Sequence, residues 1–210
     1  MDTGRPLRAD AQRNRDALLA AAGRAFAAEG PDVTLEAVAA AAGVGIGTLY
    51  RHFPTREALV EAAYRNELAR LCDSAEGLLG TLPPDAAVRA WMDQFVDYAV
   101  TKRGMADTLR ALTAAGRNPF AQTRDRLLGA LGSLLDAAVW AGTVRADISP
   151  ADLLATLGGV SMAAGDAAGR EQASRVLDLV MDGLRYGTGT GTSTGGHTAA
   201  RASAKRRPNT

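Results

Sequence analysis

The sequence predicts an all-α fold of about nine helices. Apolar residues recur at three- and four-residue spacing in one segment after another, and no segment shows the sustained alternation of a half-buried strand. Hydrophobic residues make up 47% of the 210 residues, much of that alanine, whereas aromatic residues make up only 5%. This composition favours helices that pack closely through small side chains.

The first helix is predicted over residues 11–29. Leu18, Ala22 and Phe26 recur there at helical spacing, and the pair Gly30-Pro31 provides a typical helix end.

The next segment, residues 34–56, has the pattern of a helix-turn-helix motif. Thr34 is a suitable N-cap for its first helix, and Gly43 supplies the turn because glycine adopts left-handed backbone angles without a steric penalty. Leu49 returns the second helix to the core, and Pro54 ends that helix at about residue 53. Since the second helix of such a motif enters the major groove, the pattern indicates DNA as a partner.

Six further helices are predicted, each bounded by proline, glycine or an N-cap. The first of them, residues 56–79, is capped by Thr55 and would join the motif rigidly to the rest of the chain. The others are expected at residues 85–102, 105–115, 120–141, 150–164 and 169–185.

Charge is distributed unevenly along the chain. Residues 1–56 contain 7 basic and 6 acidic residues, and residues 57–187 contain 13 and 17. Because an acidic body disfavours wrapping by nucleic acid, we expect DNA contact to be confined to the N-terminal face, where four arginines lie: Arg5, Arg8, Arg13 and Arg15.

The C-terminal residues 188–210 lack apolar periodicity and are predicted to be a disordered tail. The tail has two interpretations: a solvated end without a specific role, or a source of sequence-independent attraction to phosphate. Its basic residues are Arg201, Lys205, Arg206 and Arg207.

Several other classes of protein are disfavoured. The N-terminus lacks the apolar core of a signal peptide, and no apolar run is long enough to span a membrane, so we expect a cytosolic protein. Cys72 is the only cysteine, which excludes an internal disulfide, and we expect no metal and no cofactor. The glycines at 43, 45 and 47 follow a predicted helix rather than a strand, and no catalytic motif occurs, so we expect no enzyme.

Three short runs within residues 42–54 resemble the N-terminal signature of the TetR family of bacterial transcription regulators: Ala42-Gly43-Val44, Gly47-Thr48-Leu49-Tyr50 and His52-Phe53-Pro54. The resemblance covers the first quarter to third of the chain, and the remainder agrees in length and helical character. It implies a helix-turn-helix DNA-binding domain over residues 10–70 and an effector-binding and dimerisation domain over residues 71–187.

Candidate DNA-binding residues lie on and around the second helix of the motif. Gly45 and Gly47 would let this helix approach the groove closely, and Thr48 can contact a base edge or a thymine methyl group. The resemblance implies that Tyr50 and His52 reach phosphates, although Tyr50 is equally suited to packing. It also implies that Thr34 and Arg56 anchor phosphates at two helix N-termini. The full set is Arg13, Thr34, Gly45, Ile46, Gly47, Thr48, Tyr50, Arg51, His52 and Arg56.

The composition of the same helix predicts that few of its side chains contact base edges directly. Gly45 and Ile46 stand where the family often has polar or basic residues. Specificity would therefore depend on DNA shape and on Arg51.

Bulky residues of the middle helices are either core or walls of an effector pocket, which the resemblance locates there. Their apolar character favours a hydrophobic ligand, with an aromatic one as the narrower expectation. They are Trp91, Met92, Phe95, Tyr98, Met105, Leu109, Phe120 and Trp140.

The last two helices carry small and apolar residues, and the resemblance implies that they pack against a second copy as a four-helix bundle. Two-fold symmetry would then place the recognition helices about one DNA turn apart, to match a palindromic operator. The predicted interface residues are Leu154, Ala155, Gly158, Ser161, Met162, Leu177, Val180, Met181 and Leu184.

The sequence thus favours a homodimeric repressor that a small apolar ligand releases from its operator. The alternative is a helical module that senses a ligand or a protein without binding specific DNA. Salt dependence separates the two, since binding through phosphates weakens steeply with salt.

Overall fold

Nine α-helices and one 3-10 turn account for all regular structure in the residues that the computed structural model describes, 4–164 and 167–186. Side chains are described for residues 9–164 and 169–186, so the arginines at 5 and 8 and the predicted basic tail lie outside. The all-α prediction is confirmed. The helices are α1 (Gly4–Glu29), α2 (Leu35–Ala41), α3 (Ile46–His52), α4 (Arg56–Thr81), α5 (Pro84–Gly104), α6 (Ala106–Ala114), α7 (Thr123–Trp140), α8 (Pro150–Ser161) and α9 (Ala167–Arg185), with the 3-10 turn at Gly30–Asp32.

Three helix boundaries differ from the predicted ones by three residues or more. Helix α1 begins at Gly4 instead of residue 11, because Pro6 is compatible with the first turn of a helix. Helix α7 begins at Thr123 instead of residue 120, because Gln122 adopts a left-handed conformation with φ 65°. Helix α8 ends at Ser161, before the predicted residue 164.

Helix α5 is the central element of the fold. It packs against α1, α4, α7, α8 and α9, and its Trp91 is fully buried, with the indole Nε1 donating a hydrogen bond to the Leu71 carbonyl at 2.9 Å. Buried apolar side chains form one continuous cluster from Leu18 in α1 to Leu184 in α9. The helix-turn-helix unit (α1–α3) and the body (α4–α9) therefore share a core. None of the described helices is both long and apolar enough to cross a membrane.

The C-terminal end of α5 touches the main chain of α1. A Cβ atom on Gly104 would overlap the carbonyl oxygen of Phe26 and would lie 3.3 Å from the Cα of Gly30. Only glycine fits at this position without displacing one helix from the other.

A buried carboxylate ties α4 to the segment between α6 and α7. Glu61 pairs with Arg65 of the same helix at 2.7 Å and also with Arg117, which follows α6. The glutamate side chain is almost wholly buried, whereas both guanidinium groups reach solvent. The α6–α7 segment is thereby fixed against the helix that leaves the helix-turn-helix unit.

Candidate nucleic-acid interface and ligand cavity

The helix-turn-helix geometry follows from a few local interactions. Thr34 Oγ1 accepts an amide hydrogen bond from the first turn of α2 at 3.1 Å, as expected for an N-cap. Gly43 takes a left-handed φ of 71°, and the Val44 amide then donates to the Ala39 carbonyl at 3.0 Å. Leu49 is fully buried and fixes α3 against the core. The turn and this anchor together determine which face of α3 points outward.

The outward face of α3 is shallow. Gly45, Ile46, Gly47, Tyr50 and Arg51 are all exposed. A Cβ atom on either glycine would meet no atom within 4 Å, and neither glycine has a positive φ. The packing of this chain therefore does not require glycine at either position.

Arg51 is held along α3 instead of extending freely into solvent. Its Nη2 donates to Thr48 Oγ1 at 2.8 Å, and its Nε donates to the Gly47 carbonyl at 3.2 Å. His52 is half-buried, and its ring lies 6.2 Å from that of Phe53. Arg51 and Thr48 thus form one preorganised polar group on the exposed side of the helix.

Arg56, the second predicted phosphate anchor, contacts the connection between α1 and α2 in this chain. Its guanidinium donates to the carbonyls of Pro31 and Val33 and lies 5.5 Å from the ring centre of Phe26. These contacts hold together the connection between α1 and α2, and the two hydrogen bonds use two of the five N–H donors of the guanidinium group.

Two arginines of α1, Arg13 and Arg15, also have partners within the chain. Arg13 is exposed and pairs with Asp10. Arg15, which the sequence placed only in a basic cluster, is half-buried with its guanidinium 5.6 Å from the ring centre of Phe53. No local pattern could indicate this contact, because the two residues are far apart in the chain.

Most of the predicted pocket residues are buried in the core, although Tyr98 also lines a separate cavity. The Tyr98 hydroxyl donates to the Tyr64 hydroxyl at 3.2 Å, and that group lies 2.9 Å from Thr123 Oγ1. Burial raises the pKa of Tyr98, so its hydroxyl keeps its proton. The predicted pocket residues buried in this core are Trp91, Met92, Phe95, Tyr98 and Met105.

A cavity of about 370 Å³ opens where α5, α6 and α8 meet the segment before α7. Two predicted pocket residues, Leu109 and Phe120, line it. Trp140 lies elsewhere: it is 91% exposed at the end of α7, so its predicted place in the pocket wall does not fit. The remaining lining residues are Ala99, Lys102, Arg103, Ala106, Arg110, Ser161 and Met162.

The cavity has a cationic side that the sequence analysis did not identify. Lys102 is half-buried, with its Nζ 5.1 Å from the ring centre of Phe120, and burial lowers the pKa of this ammonium group. Arg103 donates to the Ser161 carbonyl at 2.7 Å. The helical periodicity of α5 could not indicate that Lys102 and Arg103 would line the same cavity.

The predicted dimer residues divide between the inside and the outside of the chain. Leu154, Ser161, Leu177, Met181 and Leu184 are buried within the chain, and Gly158 and Val180 are half-buried. Ala155 and Met162 are exposed.

The outer face of α8 and α9 includes large apolar residues that the sequence analysis missed. Leu179 is 70% exposed and Tyr186 is 80% exposed, as is Met162. The side of α9 opposite Leu177 and Met181 carries Leu179, Gly183 and Tyr186 at helical spacing. This periodicity could have identified the outer face from the sequence.

Comparisons with known proteins agree for both halves of the chain. Residues 18–63 match the family model "Bacterial regulatory proteins, tetR family", and residues 83–186 match "Transcriptional regulator SbtR-like, C-terminal domain". The chain is 56% identical to the TetR transcriptional regulator SCO0520 from Streptomyces coelicolor, with a TM-score of 0.78 over 81% of this chain and 98% of that one.

A TetR regulatory protein from Mycobacterium vanbaalenii is 39% identical, with a TM-score of 0.69 over 86% of this chain and 99% of that chain. The TetR-like regulator LfrR from Mycobacterium smegmatis, solved in complex with proflavine, is 24% identical to this chain. Its TM-score is 0.57 over 81% of this chain and 95% of that chain. No curated protein matches the chain significantly.

Proposed function

Because the chain belongs to the TetR family of bacterial transcriptional regulators, we propose that it is a homodimeric repressor of a palindromic operator. Residues 10–70 bind the DNA, and residues 71–187 bind a small ligand and form the dimer. Ligand binding favours a state in which the two α3 helices no longer match the operator, so that the repressor dissociates.

The exposed face of α3 carries the DNA-binding proposal. Its glycines at 45 and 47 have no role in packing within the chain, and they allow the helix backbone to come close to the major groove. The Arg51–Thr48 pair offers donors and a methyl group to the base edges, while Tyr50 and His52 flank it toward the phosphates.

The outer faces of α8 and α9 support the dimer. The small residues Ala155 and Gly159 of α8 are exposed. The large residues Met162, Leu179 and Tyr186, which belong to or directly follow α8 and α9, are exposed as well. Exposed apolar side chains that form a patch are typical of a protein–protein interface. We place the interface on these outward residues, in preference to the buried Leu177, Met181 and Leu184.

The cavity lined by Leu109, Phe120 and Lys102 supports the ligand site. Its volume of about 370 Å³ falls at the lower end of the range of about 300–1,000 Å³ for small-molecule pockets. A structural relative, LfrR, was solved with proflavine bound, which is consistent with ligand binding by proteins of this fold.

Selection from a randomised duplex library tests the proposal. The purified full chain is incubated with the library, and the retained duplexes are sequenced. We expect an enriched palindrome, and we expect the double variant Thr48→Ala, Tyr50→Ala to lose it. The variant Thr81→Ala, which changes an exposed threonine of α4 remote in sequence from α3, is the matched control and should keep it.

A folded dimer that enriches no sequence at low salt would contradict DNA binding and would favour the alternative, a sensing module. One observation makes this alternative specific: Arg13 and Arg56 both have partners inside the chain, so fewer free cations face the DNA. An enriched sequence without two-fold symmetry would instead contradict the dimeric part of the proposal.

A further inference from the structure

The charge of the α5–α6–α8 cavity distinguishes it from other cavities in the described part of the chain. Three other cavities each include at least one carboxylate: Glu61 in one, Glu67 and Asp97 in another, and Asp73 and Glu76 in a third. The residues lining the α5–α6–α8 cavity include three cations and no carboxylate.

Two of these cations lack an opposite charge among the described residues. Arg110 is neutralised by Asp107 on the same helix. Arg103 instead donates to a neutral group, the Ser161 carbonyl, and Lys102 has only the ring of Phe120 as a partner. Among the described residues, the positive charge of Lys102 and Arg103 at this cavity is therefore not compensated by a carboxylate.

Partial burial makes the charge of Lys102 costly, whereas Arg103 is exposed. An ammonium group removed from water loses hydration that an aromatic face replaces only in part, and an anion at the same place restores favourable electrostatics. The lowered pKa of Lys102 reflects this cost.

The rest of the cavity wall is apolar. Ala99, Ala106, Leu109, Phe120 and Met162 line it together with the cations. A fully hydrophobic ligand would leave the half-buried Lys102 without an opposite charge, whereas a highly charged ligand would not match the apolar wall.

We propose that the effector of this regulator is a small anionic amphiphile, whose acidic group pairs with Lys102 and Arg103 and whose apolar body lies against Leu109 and Phe120. This inference rests on the ligand-responsive function proposed above and narrows the chemical class of the ligand. It replaces the expectation of a purely hydrophobic ligand.

The sequence makes a direct test possible, because Lys102 and Lys205 are its only lysines. The full chain labelled with ¹³C-lysine gives two side-chain Cε signals, and the variant Lys102→Met assigns one of them. The probes are octanoate, octyl phosphate, 1-octanol and octylammonium. We expect an anionic probe to shift the Lys102 signal, and the two anions distinguish a carboxylate from a phosphate headgroup.

Calorimetric titration with the same probes measures affinity. Lys102→Met should weaken binding of the anion by about tenfold or more, and Lys102→Arg, which keeps the charge, should retain most of it. The proposal is overturned if octanol binds as tightly as both anions, if Lys102→Met leaves anion affinity unchanged, or if no probe shifts the Lys102 signal. Retention of the selected duplex without any probe is measured separately, so a failure here is distinguishable from a failure of DNA binding.

Discussion

Arg56 illustrates how an arginine next to a DNA-binding motif can serve the fold. Its guanidinium bonds two carbonyls and stacks on Phe26, so it stabilises the connection between α1 and α2. Arginine suits this place because its planar fork reaches two acceptors at once.

We therefore expect Arg56→Ala to lower the free energy of unfolding by about 2 kcal/mol, since a charged donor and two acceptors lose their partners. Urea unfolding measures this change. The slope of log affinity against log salt for the selected duplex should stay as in the unmodified protein. A slope lower by about one, with unchanged stability, would show that Arg56 neutralises a phosphate instead.

Replacement of Gly47 by alanine is expected to have opposite effects on the stability of the fold and on DNA binding. Gly47→Ala should stabilise the protein by about 0.5–1 kcal/mol, because alanine is the better helix former and its Cβ meets nothing in the chain. The same methyl group should weaken duplex binding, because it holds α3 away from the groove.

The matched control for Gly47 is Gly77→Ala, at an exposed helical glycine of α4 where a Cβ also meets open space. This variant should gain stability and keep its affinity for DNA. Unchanged affinity in Gly47→Ala, measured by fluorescence anisotropy, would contradict close approach at this position.

Helix α9 carries apolar residues on two opposite faces, and the proposed dimer uses the outer one. Leu177 and Met181 are buried inside the chain, while Leu179 points outward. We expect Leu179→Glu to convert the dimer to a monomer without unfolding it, because the side chain is largely exposed in the single chain. Sedimentation equilibrium measures the mass.

The control for this interface is Leu82→Glu, which changes an exposed leucine just after α4 and should leave the dimer intact. A Leu179→Glu protein that remains dimeric would place the interface on another surface.

Most helices could be predicted from the sequence, because local signals determine them. Thr34 and Thr55 cap helices as predicted, and Gly43 supplies the predicted turn. The first residues of α1 and α7 were harder to predict. Proline can end a helix, but Pro6 is tolerated in the first turn of α1. Gln122 adopts a left-handed conformation, which is unusual for glutamine, and so delays the start of α7.

The candidate site was predicted less completely, because its geometry depends on contacts between distant residues. Periodicity identified Trp91 and Leu109 as inward-facing, but it cannot separate a filled core from a cavity wall. The partners of Arg56 lie more than twenty residues before it, so no local pattern revealed them.

The first turn of α5 and the end of α9 are joined by an ion pair. Arg185 Nη2 lies 2.6 Å from Asp85 Oδ2, and this hydrogen bond lowers the pKa of the Asp85 carboxyl group below its usual 3.8. A carboxyl group with a lower pKa in the folded state stabilises the fold above its unfolded pKa, and this contribution disappears as the pH falls through the folded pKa.

Asp85→Asn should therefore lower the free energy of unfolding by about 0.5–1 kcal/mol at pH 7, a modest amount because the pair is partly exposed. The difference from the unmodified protein should shrink as the pH falls below about 4. Urea unfolding at a series of pH values measures it. A difference that persists undiminished at the lowest pH would point to a cause other than this ion pair.

The contact between Gly104 and Phe26 limits how family members can be recombined. A chimera that grafts another regulator's DNA-reading helices onto this body must bring an α1 whose main chain passes at the same distance from the end of α5. We expect grafts with an α1 of matching length to fold, and the same grafts carrying Gly104→Ala to fail. Exchange of DNA specificity within this architecture thus depends on one missing methyl group as well as on the residues that read the bases.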